Sequence, residues 1–243
     1  MKGIILAAGR GSRMGSLTND LPKCRTILHG KELIQWEMDA MTTAGIDDLA
    51  IIRGYMAETF DFKLKYFENK RWLNTNMVSS LLTASSWLEN DECITSYSDI
   101  AYSSNTVKKL IDTEGNIVLS YDPNWEALWT MRFDNPLDDA ETFKLKGNEV
   151  IEIGKKTNST SEIEGQYMGL VKYTPTGWGQ IQDHLKKYNR DDIDKLDMTS
   201  LLQNLINSGI TIHGVAIHEK WFEVDTENDL RCYESNFAKS PLL

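Results

Sequence analysis

The chain has 243 residues, of which 41% are hydrophobic and 26% are charged, as is typical of a globular protein with a buried core. Its formal net charge of −10 argues against a general binder of nucleic acid or of anionic membranes. An acidic protein that binds an anion must concentrate positive charge locally, so clustered Lys and Arg residues are informative here.

The cysteines and the N-terminal residues bear on the cellular compartment. Cys24, Cys93 and Cys232 are far apart, and the histidines show no spacing of a known metal motif. Residues 1–9 have too short an apolar run for a secretory signal, and no stretch approaches the ~20 apolar residues of a membrane span. We therefore expect a soluble cytoplasmic protein with free thiols that binds neither a membrane nor nucleic acid.

Short apolar stretches alternate with stretches of helical periodicity along the chain. Strands are predicted, in chain order, at residues 3–7, 49–52, 94–97, 117–120, 150–153, 166–173, 210–217 and 221–224. Helices are predicted at residues 34–44, 78–88, 107–111, 198–207 and 226–237. The alternation predicts an α/β fold, with a mainly parallel, mixed sheet flanked by helices in one Rossmann-like domain that covers residues 1–243.

A glycine-rich loop follows the first predicted strand: residues 6–14 read LAAGRGSRM, and residues 21–23 read LPK. Such a loop lets backbone N–H groups approach a phosphate, although a tight turn without a ligand also explains its glycines. A dinucleotide fingerprint is excluded because Met14 stands where that motif needs glycine, and the Gly-Lys-Ser/Thr ending of a P-loop does not occur. Two cations share the loop, Arg13 and Lys23, and in an acidic protein this favours phosphate contact over solvated surface charge.

These residues resemble the G-x-G-x-R-[ML]…P-K signature that opens the sugar-phosphate and choline-phosphate nucleotidyltransferases. In that family the loop surrounds the nucleoside triphosphate, and the Arg and Lys of the signature bind its phosphates. The resemblance implies this catalytic role for Arg13 and Lys23. It also implies that the loop supplies backbone contacts to the nucleotide from Leu6, Ala8, Gly9 and Gly11.

Residues 75–81 (TNMVSSL) stand at a predicted loop-to-helix transition, and a capped helix start explains them equally well. In the cytidylyltransferase branch of the family, a similar Asn-containing segment lies beside the base and sugar. The resemblance therefore implies that Asn76 and Ser80 bind the nucleotide. Together with residues 96–102 (SYSDIAY), the segment resembles the branch that uses CTP with phosphocholine, 2-aminoethylphosphonate or phosphoglutamine.

Two aspartates, Asp99 and Asp225, each follow a short predicted strand. A carboxylate at the carboxyl end of a parallel strand faces the crevice where α/β proteins bind ligands, and Mg²⁺ needs only one or two carboxylates besides substrate phosphates. A structural role is open for each residue alone, since residues 226–229 resemble a capping box. The family resemblance covers both positions and implies that they bind Mg²⁺.

Residues 122–147 interrupt the alternation of strands and helices, and we interpret them as an insertion on the acceptor side. Arg132 is available to bind an acceptor carboxylate, and Trp125 and Trp129 are able to wall a pocket or face a cation. Acidic residues that are able to bind an acceptor ammonium are Asp134, Asp138, Asp139 and Glu141. Solvated acids, with tryptophans in the core or at an oligomer contact, are an equal alternative.

Lys155 and Lys156 follow the strand at residues 150–153 and are candidates to bind the phosphate of the acceptor. An exposed lysine pair is an equally simple interpretation, but relatives carry a lysine after the equivalent strand that meets this phosphate, which favours Lys155. Residues 132–141, 153–156 and 162–167 resemble most the phosphoglutamine enzymes of bacterial capsule modification. Residues 164–167, with Glu164 as the candidate for acceptor binding, are further candidates to hold the acceptor or the nucleotide sugar, and a strand bulge explains Gly165 equally well.

The resemblance implies a Mg²⁺-dependent cytidylyltransferase that moves CMP from CTP to a small phosphorylated acceptor, with L-glutamine phosphate as the best candidate. A phosphate monoester has a second pKa near ~6 and is already an anionic nucleophile at neutral pH, so no general base is required. A sugar-1-phosphate nucleotidyltransferase is the alternative within the family, and a non-catalytic nucleotide-binding regulatory domain is the alternative outside enzymes. The sequence leaves the oligomeric state open, a homodimer included.

Overall fold

The computed structural model describes residues 1–237 of the chain, with side chains up to residue 235; residues 238–243, the end of the predicted domain, lie outside the described residues. The described strands are β1 (Lys2–Ala7), β2 (Ile27–Leu28), β3 (Lys31–Glu32), β4 (Leu49–Arg53), β5 (Lys65–Glu68), β6 (Cys93–Tyr97), β7 (Ile100–Ala101), β8 (Ile117–Asp122), β9 (Glu141–Lys146), β10 (Glu149–Lys156), β11 (Gln166–Tyr173), β12 (His213–Ala216) and β13 (Phe222–Glu223). The described α-helices are α1 (Leu33–Thr43), α2 (Met77–Leu81), α3 (Ser85–Leu88), α4 (Ser104–Asp112), α5 (Trp125–Arg132), α6 (Pro175–Leu185), α7 (Arg190–Lys195), α8 (Met198–Asn207) and α9 (Glu227–Phe237).

One large sheet organises the described residues, with nine strands in the order β5-β4-β1-β6-β11-β8-β12-β10-β9. The first four of these strands pair in parallel, as do β8 and β12. β11 runs antiparallel between β6 and β8, and β10 runs antiparallel between β12 and β9. Only β10 and β11 oppose the common direction within this sheet, which confirms the predicted α/β fold with a mainly parallel, mixed sheet.

The sheet is covered by helices on both faces, as the uninterrupted apolar sequence of β1 requires. Successive side chains of a strand point to opposite faces, so Ile5 and Ala7 pack into the core beneath α1 and α4. Ile4 and Leu6 pack into a second core together with α6 and α8. The carboxyl end of β1 therefore emerges between two packed layers and leads directly into the glycine-rich loop.

Two short strands outside the large sheet matter for the site. β13 pairs antiparallel with β7, with Glu223 opposite Ile100. β7 follows β6 after two residues, so this small ribbon is anchored to the centre of the large sheet. It brings a segment from late in the chain to the carboxyl end of β6.

Several elements differ from the sequence predictions. β5, α6 and α7 were not predicted, because β5 is a polar edge strand and Gly177 and Gly179 weaken the helical signal of α6. Gly177 is needed there, since a Cβ would stand 2.2 Å from the carbonyl oxygen of Asn116. The helix predicted at residues 78–88 consists of α2 and α3 joined by a 3-10 turn, and the strand predicted at residues 210–217 is reduced to β12.

Within residues 1–237, no helix combines the length and apolar character that crossing a membrane requires.

Candidate active site

The loop after β1 fixes the path of Lys23. Gly11 has a left-handed backbone with φ 67° and ψ 47°, and a Cβ there would stand 2.6 Å from both Cβ and Cδ of Lys23. Glycine adopts this φ without strain and leaves room for Lys23, whereas any larger residue would be strained at this φ and would clash with Lys23. The loop thereby packs on the aliphatic stem of Lys23, which is 8% exposed, and directs its ammonium into the protein.

Lys23 joins the two predicted aspartates. Its Nζ donates to Asp99 Oδ2 at 2.8 Å and to Asp225 Oδ1 at 2.5 Å. Arg13 Nη2 donates to the same Asp225 oxygen at 3.0 Å. The two cations and two carboxylates that were singled out in the sequence therefore meet at one point.

Asp225 reaches this point by a route that differs from our expectation. We expected both aspartates at carboxyl ends of parallel strands, but β13 lies outside the large sheet and belongs to the ribbon with β7. In that ribbon, the backbone N–H of Val224 donates to the carbonyl oxygen of Asp99 at 2.8 Å. This bond holds the backbones of the two aspartates side by side.

The predicted capping box also forms, and it does not use the carboxylate of Asp225, whose backbone N–H donates to Asp229 Oδ2 at 2.9 Å. The backbone N–H of Thr226 donates to Asp229 Oδ2 at 2.8 Å, and that of Asp229 donates to Thr226 Oγ1 at 3.2 Å. These two residues cap α9, so the carboxylate of Asp225 is left to bind cations.

Arg132 anchors Asp225 on its second oxygen. The Arg132 side chain is 0% exposed, and its Nη2 donates to Asp225 Oδ2 at 3.3 Å. Its Nε donates to Asp229 Oδ1 at 3.2 Å, and its Nη1 donates to Glu223 Oε2. This arrangement does not favour the predicted contact with an acceptor carboxylate, because each guanidinium nitrogen already meets a carboxylate of the protein.

The paired charges shift the proton affinities of the cluster. Burial lowers the pKa of the Lys23 ammonium, but Asp99 and Asp225 outweigh burial and raise it above its ordinary value. Burial raises the pKa of Asp225, but Lys23, Arg13 and Arg132 together bring it below its ordinary value. Both groups are therefore charged at neutral pH. Burial, opposed by Arg132 and reinforced by Asp225, raises the pKa of Glu223 to about 7.

Asp99 keeps one unused acceptor. Its Oδ1 is buried and has no hydrogen-bond partner among the described residues. Within those residues, no group of three or more His, Cys, Asp and Glu side chains is arranged to hold a metal ion. A divalent cation at this point would depend on the two aspartates and on the oxygens of a ligand, which is the usual manner in which proteins bind Mg²⁺.

A cavity of about 100 Å³ lies between the end of β1 and the start of α2. Its lining includes Leu6, Ala8, Gly9, Asn76 and Ser80. Asn76 caps α2, since its Oδ1 accepts from the backbone N–H of Met77 at 2.8 Å. The structure thus brings together five of the residues predicted to bind the nucleotide, whereas Gly11 packs against Lys23 instead.

A larger cavity of about 310 Å³ adjoins the smaller one, and Met77 lines both. Arg13 and Asp225 both line this larger cavity, and apart from Arg13 the charged residues of the lining are acidic. The acidic residues of this lining are Asp139, Glu141, Asp197, Glu223 and Asp225, and its aromatic residues are Tyr97, Trp129, Phe143 and Tyr167. Burial, partly offset by Lys156, raises the pKa of Glu141 above its ordinary value.

Residues 122–147 contribute unequally to this cavity. Trp129, Asp139 and Glu141 line it, whereas Asp134 and Asp138 are exposed. Trp125 is buried in the core and donates from Nε1 to the carbonyl oxygen of Ile163 at 3.2 Å.

The two candidate lysines on β10 face different surroundings. Lys155 is exposed and donates to Glu152 Oε2 at 2.7 Å. Lys156 lies opposite Glu141 in the β9–β10 ladder, so the two side chains share a face at the rim of the larger cavity. Glu164 is exposed, and its Oε2 accepts from the backbone N–H of Leu145 at 2.9 Å.

Some residues of the site were not singled out in the sequence. Asp197 and Thr199 enter the larger cavity from the start of α8, where Asp197 Oδ1 accepts from the backbone N–H of Ser200 at 2.7 Å. The sequence signal of Asp197 is that of a helix cap, which does not distinguish it from other caps. Glu223 stands two residues before Asp225, and its place beside Arg132 depends on the β7–β13 pairing, which local sequence does not reveal.

Comparison with known proteins identifies the family of this chain. Residues 3–143 match the MobA-like NTP transferase domain. The chain is 36% identical to the CTP:phosphoglutamine cytidylyltransferase of Campylobacter jejuni, over 95% of this chain and 98% of that protein.

Two solved structures share the fold at low sequence identity. They are the inositol-1-phosphate CTP transferase from T. maritima (TM-score 0.74, 18% identity, 97% of this chain and 96% of that one) and the CTP:phosphocholine cytidylyltransferase from Streptococcus pneumoniae (TM-score 0.72, 19% identity, 96% and 97%). The chain thus belongs to the family of MobA-like NTP transferase domains and is a nucleotidyltransferase.

Proposed function

We propose that this nucleotidyltransferase moves CMP from CTP to a small phosphorylated acceptor that carries an ammonium group, and releases pyrophosphate. L-Glutamine phosphate is the best candidate for the acceptor, because the relative from Campylobacter jejuni that matches 95% of the chain is a CTP:phosphoglutamine cytidylyltransferase. The observation that carries the proposal is the meeting of Lys23, Arg13 and two aspartates beside a strongly acidic cavity.

The nucleotide would occupy the smaller cavity and the loop. Leu6, Ala8 and Gly9 present backbone at the end of β1, while Asn76 and Ser80 face them from α2. Arg13 lines the adjoining larger cavity, and Lys23 bonds to the same oxygen of Asp225 as Arg13 does. Both cations would pair with the oxygens of the triphosphate.

Mg²⁺ would be held by Asp99 and Asp225. The fit rests on the buried, unpartnered Oδ1 of Asp99 and on the fact that one ammonium already reaches both carboxylates. When bound, the ion would neutralise charge on the triphosphate and on the pyrophosphate that leaves. Arg132 would keep the carboxylate of Asp225 oriented towards it.

The acceptor would occupy the larger cavity. Its ammonium would face Glu141 and Asp197, which are acids of the lining without an Arg or Lys partner at salt-bridge distance among the described residues. Lys155 and Lys156 remain the candidates for its phosphate, and the position of Lys156 at the rim favours that residue. The role proposed for Glu164 is indirect, through its bond to the backbone of β9.

The chemistry then depends on placement. The acceptor phosphate is an anionic nucleophile at neutral pH and needs no base. Lys23 and Arg13 would hold the α-phosphorus in line with the acceptor oxygen and stabilise the charge that develops on the bridging oxygen of the leaving pyrophosphate. A new phosphorus–oxygen bond forms to the acceptor as the bond to pyrophosphate breaks.

The resemblance to phosphoglutamine enzymes also leads us to propose a role in capsular polysaccharide biosynthesis, in the cytoplasm, where CTP is available. A homodimer is proposed as well, and size-exclusion chromatography with light scattering tests it.

Pyrophosphate release tests the proposed function. Each common nucleoside triphosphate is supplied with L-glutamine phosphate, phosphocholine, 2-aminoethylphosphonate or a hexose 1-phosphate. We expect release with CTP and an ammonium-bearing acceptor. Release only with a hexose 1-phosphate identifies a sugar-1-phosphate nucleotidyltransferase, and nucleotide binding without any turnover identifies a regulatory domain.

The acidic cavity yields a sharper test. Glu141→Gln removes one charge from the lining, so we expect KM for the ammonium-bearing acceptor to rise about 10-fold, as for the loss of one charge-assisted hydrogen bond. KM for CTP should stay unchanged. Glu149→Gln, at an exposed position on β10, is the matched control. An unchanged KM in the Glu141 variant would remove that residue from the acceptor site.

A further inference from the structure

Lys23 stands between the carboxylates to which the proposed function assigns the metal. Asp225 Oδ1 accepts from both Lys23 and Arg13, and Asp225 Oδ2 accepts from Arg132. Asp99 Oδ2 accepts from Lys23, and only Asp99 Oδ1 lacks a partner among the described residues. Three of the four carboxylate oxygens are thus engaged by cationic side chains.

We propose that Lys23 and the divalent ion compete for the Asp99–Asp225 pair, and that the triphosphate decides this competition by drawing Lys23 and Arg13 onto its own oxygens. The inference rests on the proposed function, because the metal ligands are those assigned there. It goes further by making metal binding conditional on the nucleotide.

Charge favours this exchange. A divalent ion entering beside the ammonium of Lys23 and the guanidinium of Arg13 would meet two like charges at short range, in a partly buried site where screening is weak. A triphosphate supplies oxygens for both side chains and for the ion. After the exchange every cation has an anionic partner, whereas metal alone would leave Lys23 buried without one.

The packing and exposure of the three cationic side chains also agree with the proposed exchange. Gly11 packs on Cβ, Cγ and Cδ of Lys23, so the stem is held and only the end beyond Cδ is able to swing. The side chain of Arg13 is 63% exposed and is able to turn towards a ligand. Arg132 is 0% exposed and stays in place, so Asp225 keeps its orientation while the other two cations leave.

Binding of Mn²⁺ alone, followed by electron paramagnetic resonance without nucleotide, tests the proposal. Lys23→Met removes the ammonium and keeps an unbranched apolar side chain as far as the ε position. We expect this variant to bind one Mn²⁺ at least about 10-fold more tightly than the wild type, since a competing charge-assisted pair is gone. Adding Asp99→Asn to the variant should abolish the gain. Lys144→Met removes a lysine that pairs with Glu152 and Glu162, and it should leave Mn²⁺ affinity at the wild-type level.

Equal Mn²⁺ affinity in the wild type and in Lys23→Met would overturn the proposal, as would a gain that survives Asp99→Asn. Lys23→Gln, which also removes the positive charge, serves in its place if the Met variant fails to fold by circular dichroism. The proposed function is tested separately by Mn²⁺ binding to the wild type and to Asp99→Asn, each with an α,β-methylene analogue of CTP. If Mn²⁺ then binds without dependence on Asp99, the metal assignment itself is wrong; if it binds through Asp99 while Lys23→Met shows no gain alone, only the competition is wrong.

Discussion

Gly11 shows how much a single residue contributes to the site. Gly11→Ala places a methyl group against the stem of Lys23 at a φ of 67°, so we expect a loss of stability of about 1–2 kcal/mol from the backbone alone. We also expect turnover to fall at least about 10-fold, because displacement of Lys23 by even 1 Å disturbs the alignment of the phosphates. Urea unfolding and pyrophosphate release measure the two effects.

Gly147→Ala is the matched control for Gly11. Gly147 has a φ of 65°, but a Cβ there meets nothing within 4 Å. This variant should lose a similar amount of stability from the backbone while its turnover stays near that of the wild type. Equal loss of turnover in both variants would show that the contact between Gly11 and Lys23 is unimportant.

Arg132 is the residue on which the buried carboxylates depend. Arg132→Met leaves Glu223, Asp225 and Asp229 without their common cation, so we expect a loss of about 3–5 kcal/mol in the free energy of unfolding. Lys186→Met removes a charge from an exposed pair with Asp183 and should cost less than about 1 kcal/mol. Similar values for the two variants in urea unfolding would contradict the anchoring role of Arg132.

At the scale of single residues, the sequence predicts which residues belong to the site when they stand in a local motif. Arg13 and Lys23 stand in one signature, and Asp99 and Asp225 stand at strand ends within recognisable segments. Arg132 could not be placed correctly, because its partners lie 91 to 97 positions further along the chain and come near only through the β7–β13 ribbon.

Among the elements, α1 carries an unusual buried group. Glu37 is 0% exposed, and neither of its carboxylate oxygens has a hydrogen-bond partner among the described residues. Burial, with a further contribution from Asp99, raises the pKa of Glu37 well above its ordinary value. The folded protein therefore keeps this carboxyl neutral at pH values where the unfolded chain ionises it.

The sign of the pH dependence follows from this shift. Above about pH 4.5 the unfolded state has lost a proton that the folded state retains, so Glu37 lowers stability by about 1.4 kcal/mol for each further pH unit up to its folded pKa. Glu37→Gln lacks this dependence. We expect its stability relative to the wild type to rise steadily as the pH increases above about 5 in urea unfolding, with Glu58→Gln, at an exposed position, as the control. A constant difference for Glu37→Gln would mean that Glu37 is ionised in the fold.

Elements with a strong hydrophobic period could be predicted, and those defined by pairing could not. β1, β11 and α8 follow from apolar runs or helical spacing in their own residues. β5 is short and partly polar, and it becomes a strand only because β4 offers it a partner. The short strand before Asp225 was predicted, but its antiparallel pairing with β7 was not. α7 reads RDDIDK and depends on Asn189, whose Oδ1 accepts from the backbone N–H of Asp192 at 3.0 Å.

At the scale of the whole molecule, the sheet places the smaller cavity and the acidic cavity side by side. The parallel strands β1 and β6 end at the loop and at Asp99, while β9 to β11 line the acidic cavity from the other half. A protein with a net charge of −10 thereby gathers cations at one point, between a region suited to a nucleotide and a region suited to an ammonium. The fold class follows from the alternation of elements, but the adjacency of the two cavities follows only from the strand order.

Turnover of Asp99→Asn tests the central claim most directly, since this change removes a carboxylate from the point where the two cations and two aspartates meet. With CTP, Mg²⁺ and L-glutamine phosphate, we predict that pyrophosphate release falls at least about 100-fold, while Asp134→Asn, at an exposed acid of the insertion, keeps the rate of the wild type. Wild-type turnover in a folded Asp99→Asn variant would contradict the account.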